Sequence, residues 1–131
     1  MNYKLWKDVG KRELDPLLFS KTARELAELI GEEGRGKRNK NSQVRRYFDE
    51  VVRLNTIAQE GDEEDMKYRV LPQLHMLISK VAYAKGRNLI TPSFEEMIKA
   101  GIEQVKDSED LQVFTNFLES FMGFYKVYGP K

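Results

Sequence analysis

Residues 108–128 read SEDLQVFTNFLESFMGFYKVY. Leu111, Phe114, Leu118, Phe121, Tyr125 and Tyr128 recur at alternating steps of three and four, which places six large apolar side chains along one seam of a helix. Ser108 precedes the first of them and serves as the expected N-cap. A seam of this length, in a chain with other amphipathic helices, is expected to form the interior of a bundle, although it also admits a coiled-coil dimer.

Working outward from this helix, the remaining segments also carry a helical period, and none alternates as a strand does. Ahead of it, Thr91 before Pro92 and Ser93 three residues before Glu96 give two overlapping start signals, followed by Phe94, Met97, Ile98, Ile102 and Val105. A third helical stretch runs to about Lys85 on Leu71, Leu74, Leu77, Ile78 and Val81 and is ended by Gly86; Pro72 kinks or restarts it, because proline removes an amide donor and crowds the preceding turn. A second is capped by Asn41 or Ser42, buries Val44, Tyr47 or Phe48, Val51, Leu54 and Ala58, and stops at Gly61. The first starts near Asp15 and Pro16, turns Leu17, Leu18, Ala23, Leu26, Ala27 and Ile30 inward, and ends at Gly31. The expected fold is all-α, a compact bundle of about five helices in one domain over residues 1–131, and at 131 residues it buries roughly two-thirds of the surface of the unfolded chain.

Composition removes several function classes. With no cysteine there is no disulfide, thiolate nucleophile or cysteine-ligated cluster, and with His75 as the one histidine no two-histidine metal site is available. His75, beside Leu74, is expected at the surface or at its boundary. No phosphate loop, dinucleotide fingerprint or nucleophile elbow appears, and the acidic run lacks the spacing of a calcium loop. The expectation is a protein that is not an enzyme and that takes no cofactor and no metal. No stretch approaches the roughly 20 apolar residues of a membrane span, and Met1–Gly10 alternates apolar and charged residues, so a cytoplasmic protein is expected. The Trp6 region is amphipathic and suits packing on the bundle or on a partner.

The formal net charge of +1 conceals a separation of charge. Arg35, Lys37, Arg38, Lys40, Arg45 and Arg46 fall in twelve residues without an acidic one, whereas Glu60, Asp62, Glu63, Glu64 and Asp65 form an acidic run whose simplest role is a solvated surface. Arg45 and Arg46 lie in the first turn of the second helix, where partial positive charge already gathers and where cations oppose stability unless an anion binds. Asn41, Ser42 and Gln43 add neutral donors for phosphate or sugar oxygens. Lys85 and Arg87 sit at a helix C-terminus, where cations are stabilising, and gain interest only if the fold brings them beside Arg45. Tyr83, at helical spacing, is expected in the core more than as a stacking platform for bases.

Three blocks then carry a resemblance: Asn41-Ser42-Gln43-Val44-Arg45-Arg46-Tyr47-Phe48, Ala82-Tyr83-Ala84-Lys85-Gly86-Arg87, and the closing Phe114, Phe117, Leu118 and Glu119 through Phe124, Tyr125 and Lys126. In order and spacing they resemble the small helical subunit of the type III-A CRISPR effector, the Csm complex, over about Asp15 to Tyr128. Ser120 stands where that family usually has a small apolar residue. The resemblance implies a non-catalytic antiviral-defence subunit that stacks in more than one copy, lines the groove holding the guide–target duplex, contacts backbone without reading sequence, and has as partners guide RNA, single-stranded target RNA, copies of itself and other effector subunits. It implies an RNA-facing surface of Gln43, Arg45, Arg46, Lys85 and Arg87; Arg35, Lys37, Arg38 and Lys40 rest on charge alone. Two other readings stay open: a protein–protein adaptor without RNA affinity, and a helical DNA-binding domain, for which no recognition-helix pair is evident.

Overall fold

The computed structural model describes residues 3–130 and is all-α. Five helices of three or more turns make the bundle: α1 (Ala23–Gly34), α2 (Asn41–Glu60), α4 (Leu71–Gly86), α5 (Pro92–Glu103) and α6 (Ser108–Tyr128); a single turn, α3 (Glu63–Asp65), precedes α4. Among the described residues there is no strand, only one isolated bridge between Asp8 and Glu13.

The aromatic seam lies inside, as expected. Leu111, Phe114, Leu118, Phe121 and Tyr125 are buried on α6, together with Phe117. Each such aromatic removes 150–250 Å² from water, roughly 2–3 kcal/mol apiece, which makes α6 the largest single apolar contributor. α6 packs against α1 and α2, and α4 packs on α5. Tyr128, the last residue of the seam, is half-exposed where the helix ends. Its backbone carbonyl presses on Gly31, where a Cβ would collide with it. Gly31 is therefore a close-approach position inside α1, which continues to Gly34.

Helix starts differ from expectation in instructive ways. The N-cap of α2 is Lys40, with no side-chain cap, so Asn41 and Ser42 are its first residues; the Asn41 side chain instead donates to the Pro130 carbonyl at 3.0 Å. α6 is capped by Asp107 rather than Ser108, in a reciprocal box with Asp110. For α5, Thr91 is the N-cap but makes no cap bond, and Ser93 does not cap. A carboxylate from α1 does that work: Glu33 accepts from the Ser93 amide at 3.0 Å and from its hydroxyl at 2.6 Å. Burial alone would raise the Glu33 carboxyl, but the bonds from Ser93 and Thr91 and the nearby Arg38 outweigh it and hold the group below its usual value.

The chain before α1 turns at Asp15, whose carboxylate accepts from the Leu17 amide, and passes through a π-helical turn (Leu18–Thr22). Leu17 is 49% exposed, not inward; the turn after it buries Leu18 and packs Phe19 partly against the core. Pro72 does not split the third stretch: the backbone stays helical from Glu63 to Gly86, and a second π-helical turn (Met66–Val70) just ahead of the proline accommodates its missing donor.

Residues 3–17 form a strap laid on the bundle. Trp6 is 7% exposed and so belongs to the molecule's own core. Tyr3 stacks on Phe117 at 4.6 Å and donates to the Met97 carbonyl; the Trp6 indole donates to Asp110 at 2.8 Å. Arg12 lies over the Trp6 ring and pairs with Asp107, Glu109 and Asp110.

Candidate nucleic-acid interface

The basic segment begins where α1 stops. Arg35 takes a left-handed conformation as the α1 C-cap, and Lys37 and Lys40 project from the turn that follows. Asn39 ties that turn down. It is fully buried, also left-handed, and its side-chain amide donates to the Ile30 carbonyl and the Thr91 hydroxyl while accepting from the Thr91 amide at 2.9 Å. Its own carbonyl accepts from the buried Tyr125 hydroxyl, whose pKa burial pushes up to about 12. One asparagine thus fixes the basic turn against α1, α5 and α6.

From here the expected site residues divide between two faces. Arg35 and half-buried Arg38 line a shallow depression with Leu29, Glu32 and Glu33, whose carboxylates offset their charge. Gln43 and Arg46 face the other way, into a furrow between α2 and α4. One half of this furrow, about 310 Å³, is lined by Gln43, Arg46, Tyr47, Ser79, Lys80 and Tyr83, with Ala84 and Leu89. The other half, about 400 Å³, shares Arg46, Tyr47 and Lys80 and adds Asp49, Glu50 and Arg53. Glu50 is bound to Arg53 at 2.8 Å, and it is this hydrogen bond first that holds its carboxyl below the usual value.

Among the described residues, Arg35, Lys37, Arg38, Lys40, Arg46, Lys80 and Arg87 have no carboxylate within ion-pair distance. Arg45 is 3.8 Å from Asp49 and lies over the Phe48 ring, 6.0 Å from its centre, and Lys85 pairs with Glu95 at 3.2 Å, drawn toward α5. Arg87 returns to Tyr83, donating to its hydroxyl at 3.0 Å with the guanidinium 5.8 Å from the ring centre. The fold therefore brings Arg87 to the furrow shared by Arg46, through Tyr83. Tyr83 itself is 65% exposed, against the expectation of a core position. Ser42 is exposed at the start of α2, and the half-buried Gln43 has the one buried side-chain oxygen without a hydrogen-bond partner among the described residues.

Two residues of this surface, Ser79 and Lys80, escaped the sequence reading. The signal was present: Met76, Ser79, Lys80, Tyr83 and Arg87 follow one another at helical steps on the outer side of α4.

At the far end of the bundle the charge reverses. α2 and α6 run antiparallel, joined near one end by Asn41 with Pro130 and near the other by Gln59, which donates to the Ser108 carbonyl at 2.7 Å. The α2 start is cationic with no acidic residue in its first turn. Beyond its end lie Asp62, Glu63, Asp107 and Glu109 around a depression of about 710 Å³ with Met66, Lys67, Leu71 and Lys106. No group of three or more metal-ligating side chains converges among the described residues, and no helix among them is long and apolar enough to cross a membrane.

These features define a helical bundle with a polarised surface, cationic around the start of α2 and acidic beyond its end. The family described as Csm2 Type III-A matches residues 18–131, and the chain belongs to it: this is a subunit of the type III-A CRISPR effector, an assembly it shares with other subunits. The strap over residues 3–17 lies before the matched region. No curated protein and no solved structure matches the chain.

Proposed function

We propose that this subunit is non-catalytic and binds single-stranded RNA through its cationic end, lining the groove for guide and target RNA by contacts to backbone and leaving sequence to base pairing. The observation that carries this reading is the uncapped start of α2, with Lys40, Asn41 and Ser42 exposed and Arg46 free of any carboxylate partner beside it. Unpaired amides and fixed cations together favour phosphate. Arg35, Lys37, Arg38, Arg45, Lys85 and Arg87 belong to the same cationic end as supporting contacts, with Lys85 and Arg45 the weaker because each already has an acidic neighbour. The carboxylates at the opposite end repel phosphate, and their depression suits protein contacts, either to other effector subunits or to the cationic end of another copy. The protein acts in the cytoplasm, where its RNA lies.

Fluorescence anisotropy of a labelled single-stranded RNA at several salt concentrations tests the reading. If about four phosphates are neutralised, log K falls against log salt with a slope near −3. Arg45→Glu, Arg46→Glu, shown by circular dichroism to stay folded, abolishes the salt-sensitive binding. Unchanged affinity in that variant, or none in the parent at low salt, favours the adaptor reading instead.

A further inference from the structure

We infer that Tyr83 is a stacking platform for one unpaired RNA base, set in the α2–α4 furrow, with Arg46 and Lys80 holding the flanking phosphates. This rests on the RNA reading above and gives that surface its chemistry. An isolated tyrosine in a helix that packs on its neighbours would ordinarily turn its ring toward the core; Leu74, Leu77, Val81 and Ala84 occupy that side of α4, and Tyr83 stands on the other, 65% exposed. It gains no burial there, yet its position is defined, because Arg87 binds its hydroxyl and lies near its ring. A held aromatic face beside free cations is the combination that single-stranded nucleic acids use: the ring accepts any base, and the cations track the backbone.

The furrow supplies the rest. Arg46 and Lys80 sit on opposite walls, one on α2 and one on α4; among the described residues neither is ion-paired, although Lys80 is near enough to Glu50 to help lower its carboxyl. Gln43 lines the same wall as Arg46, with its side-chain oxygen buried and without a donor among the described residues. Charge also orients the strand. Arg46 and Lys80 sit where the two halves meet, with Asp49 and Glu50 on one side and Tyr83 on the other, so a strand carrying phosphates at these cations is favoured on the Tyr83 side, which has no carboxylate. Stacking of this kind distinguishes an unpaired base from a duplex, which backbone contacts alone do less well.

The test uses the full chain with a short single-stranded RNA and with the matching duplex, measured by anisotropy across salt, for the parent and for Tyr83→Ala, Tyr83→Phe and Tyr83→Trp. Tyr83→Ala is expected to weaken single-strand binding by about 5- to 150-fold while leaving the salt slope and the duplex affinity unchanged, since a ring is lost and no charge. Tyr83→Phe and Tyr83→Trp retain binding, because each keeps an aromatic face. A 2-aminopurine in the RNA is quenched by the parent and not by Tyr83→Ala. If the parent binds single-stranded RNA with the expected salt slope and Tyr83→Ala binds equally well, the platform is overturned and the RNA reading stands. Equal loss on single strand and duplex, or a changed slope, would also overturn stacking and make Tyr83 a support for Arg87. Unchanged RNA binding with lost assembly into the effector assigns the tyrosine to a protein contact. A parent that binds no RNA at any salt removes both readings.

Discussion

Asn39 carries more of this structure than its size suggests. It sits in the left-handed region that asparagine tolerates better than most residues, and its side chain serves the Ile30 carbonyl, the Thr91 hydroxyl and the Thr91 amide in a site closed to water. Asn39→Ala leaves buried backbone groups without partners and adds a conformational cost, so it should destabilise the protein by about 3 kcal/mol in urea unfolding. Asn39→Gly removes the conformational part alone and should recover only about 1 kcal/mol of that loss. A full recovery with glycine would mean that the hydrogen bonds contribute little. The residue was invisible in the sequence because its partners are 9, 52 and 86 positions away. Within the basic segment it reads as one more polar residue among Arg and Lys.

Among the elements, α6 was legible from its own steps of three and four; five of the six seam residues are buried, and the helix buries Val113 and Phe117 beside them. α4 was legible as a helix and in its inward row, Leu74, Leu77 and Val81; what its period did not give is that Tyr83, beside that row, stands outside with Met76. Helix starts were harder still. Asp107 and Ser108 are equally good caps one residue apart, and the Glu33 cap of α5 comes from another helix. Asp110, at the head of α6, joins that start to the strap. Burial alone would raise its carboxyl, yet the Lys106 amide, Arg12 and Trp6 together lower it below the usual value. A depressed carboxylate contributes stability that is fully present above the unfolded value of about 4 and is lost as pH falls through the depressed one. Asp110→Asn should therefore cost about 2 kcal/mol at neutral pH, with the gap to the parent closing below about pH 4. Trp6, the one tryptophan, reports release of the strap by its emission. A gap independent of pH would remove the carboxylate from this role.

At the scale of the whole molecule, the separation of charge in the sequence becomes a separation in space, because α2 places its basic start and its acidic end a helix length apart, about 30 Å. The all-α bundle and the cationic end were readable from pattern and charge. Which cations share a surface was not, since Arg35 and Arg38 turn toward Glu32 and Glu33 while Arg46 turns toward Lys80 and Tyr83, a division decided by the packing of α2 and α4. The central claim, that RNA runs along the α2 start and the furrow, is tested most directly by photocrosslinking. The assembled effector is loaded with target RNA containing 4-thiouridine, and the crosslinked peptides of this subunit are mapped by mass spectrometry. Crosslinks at residues 43–48 and at Tyr83, with none over 60–71 or 104–112, are the predicted result; crosslinks confined to the acidic end, or none to this subunit, would contradict it.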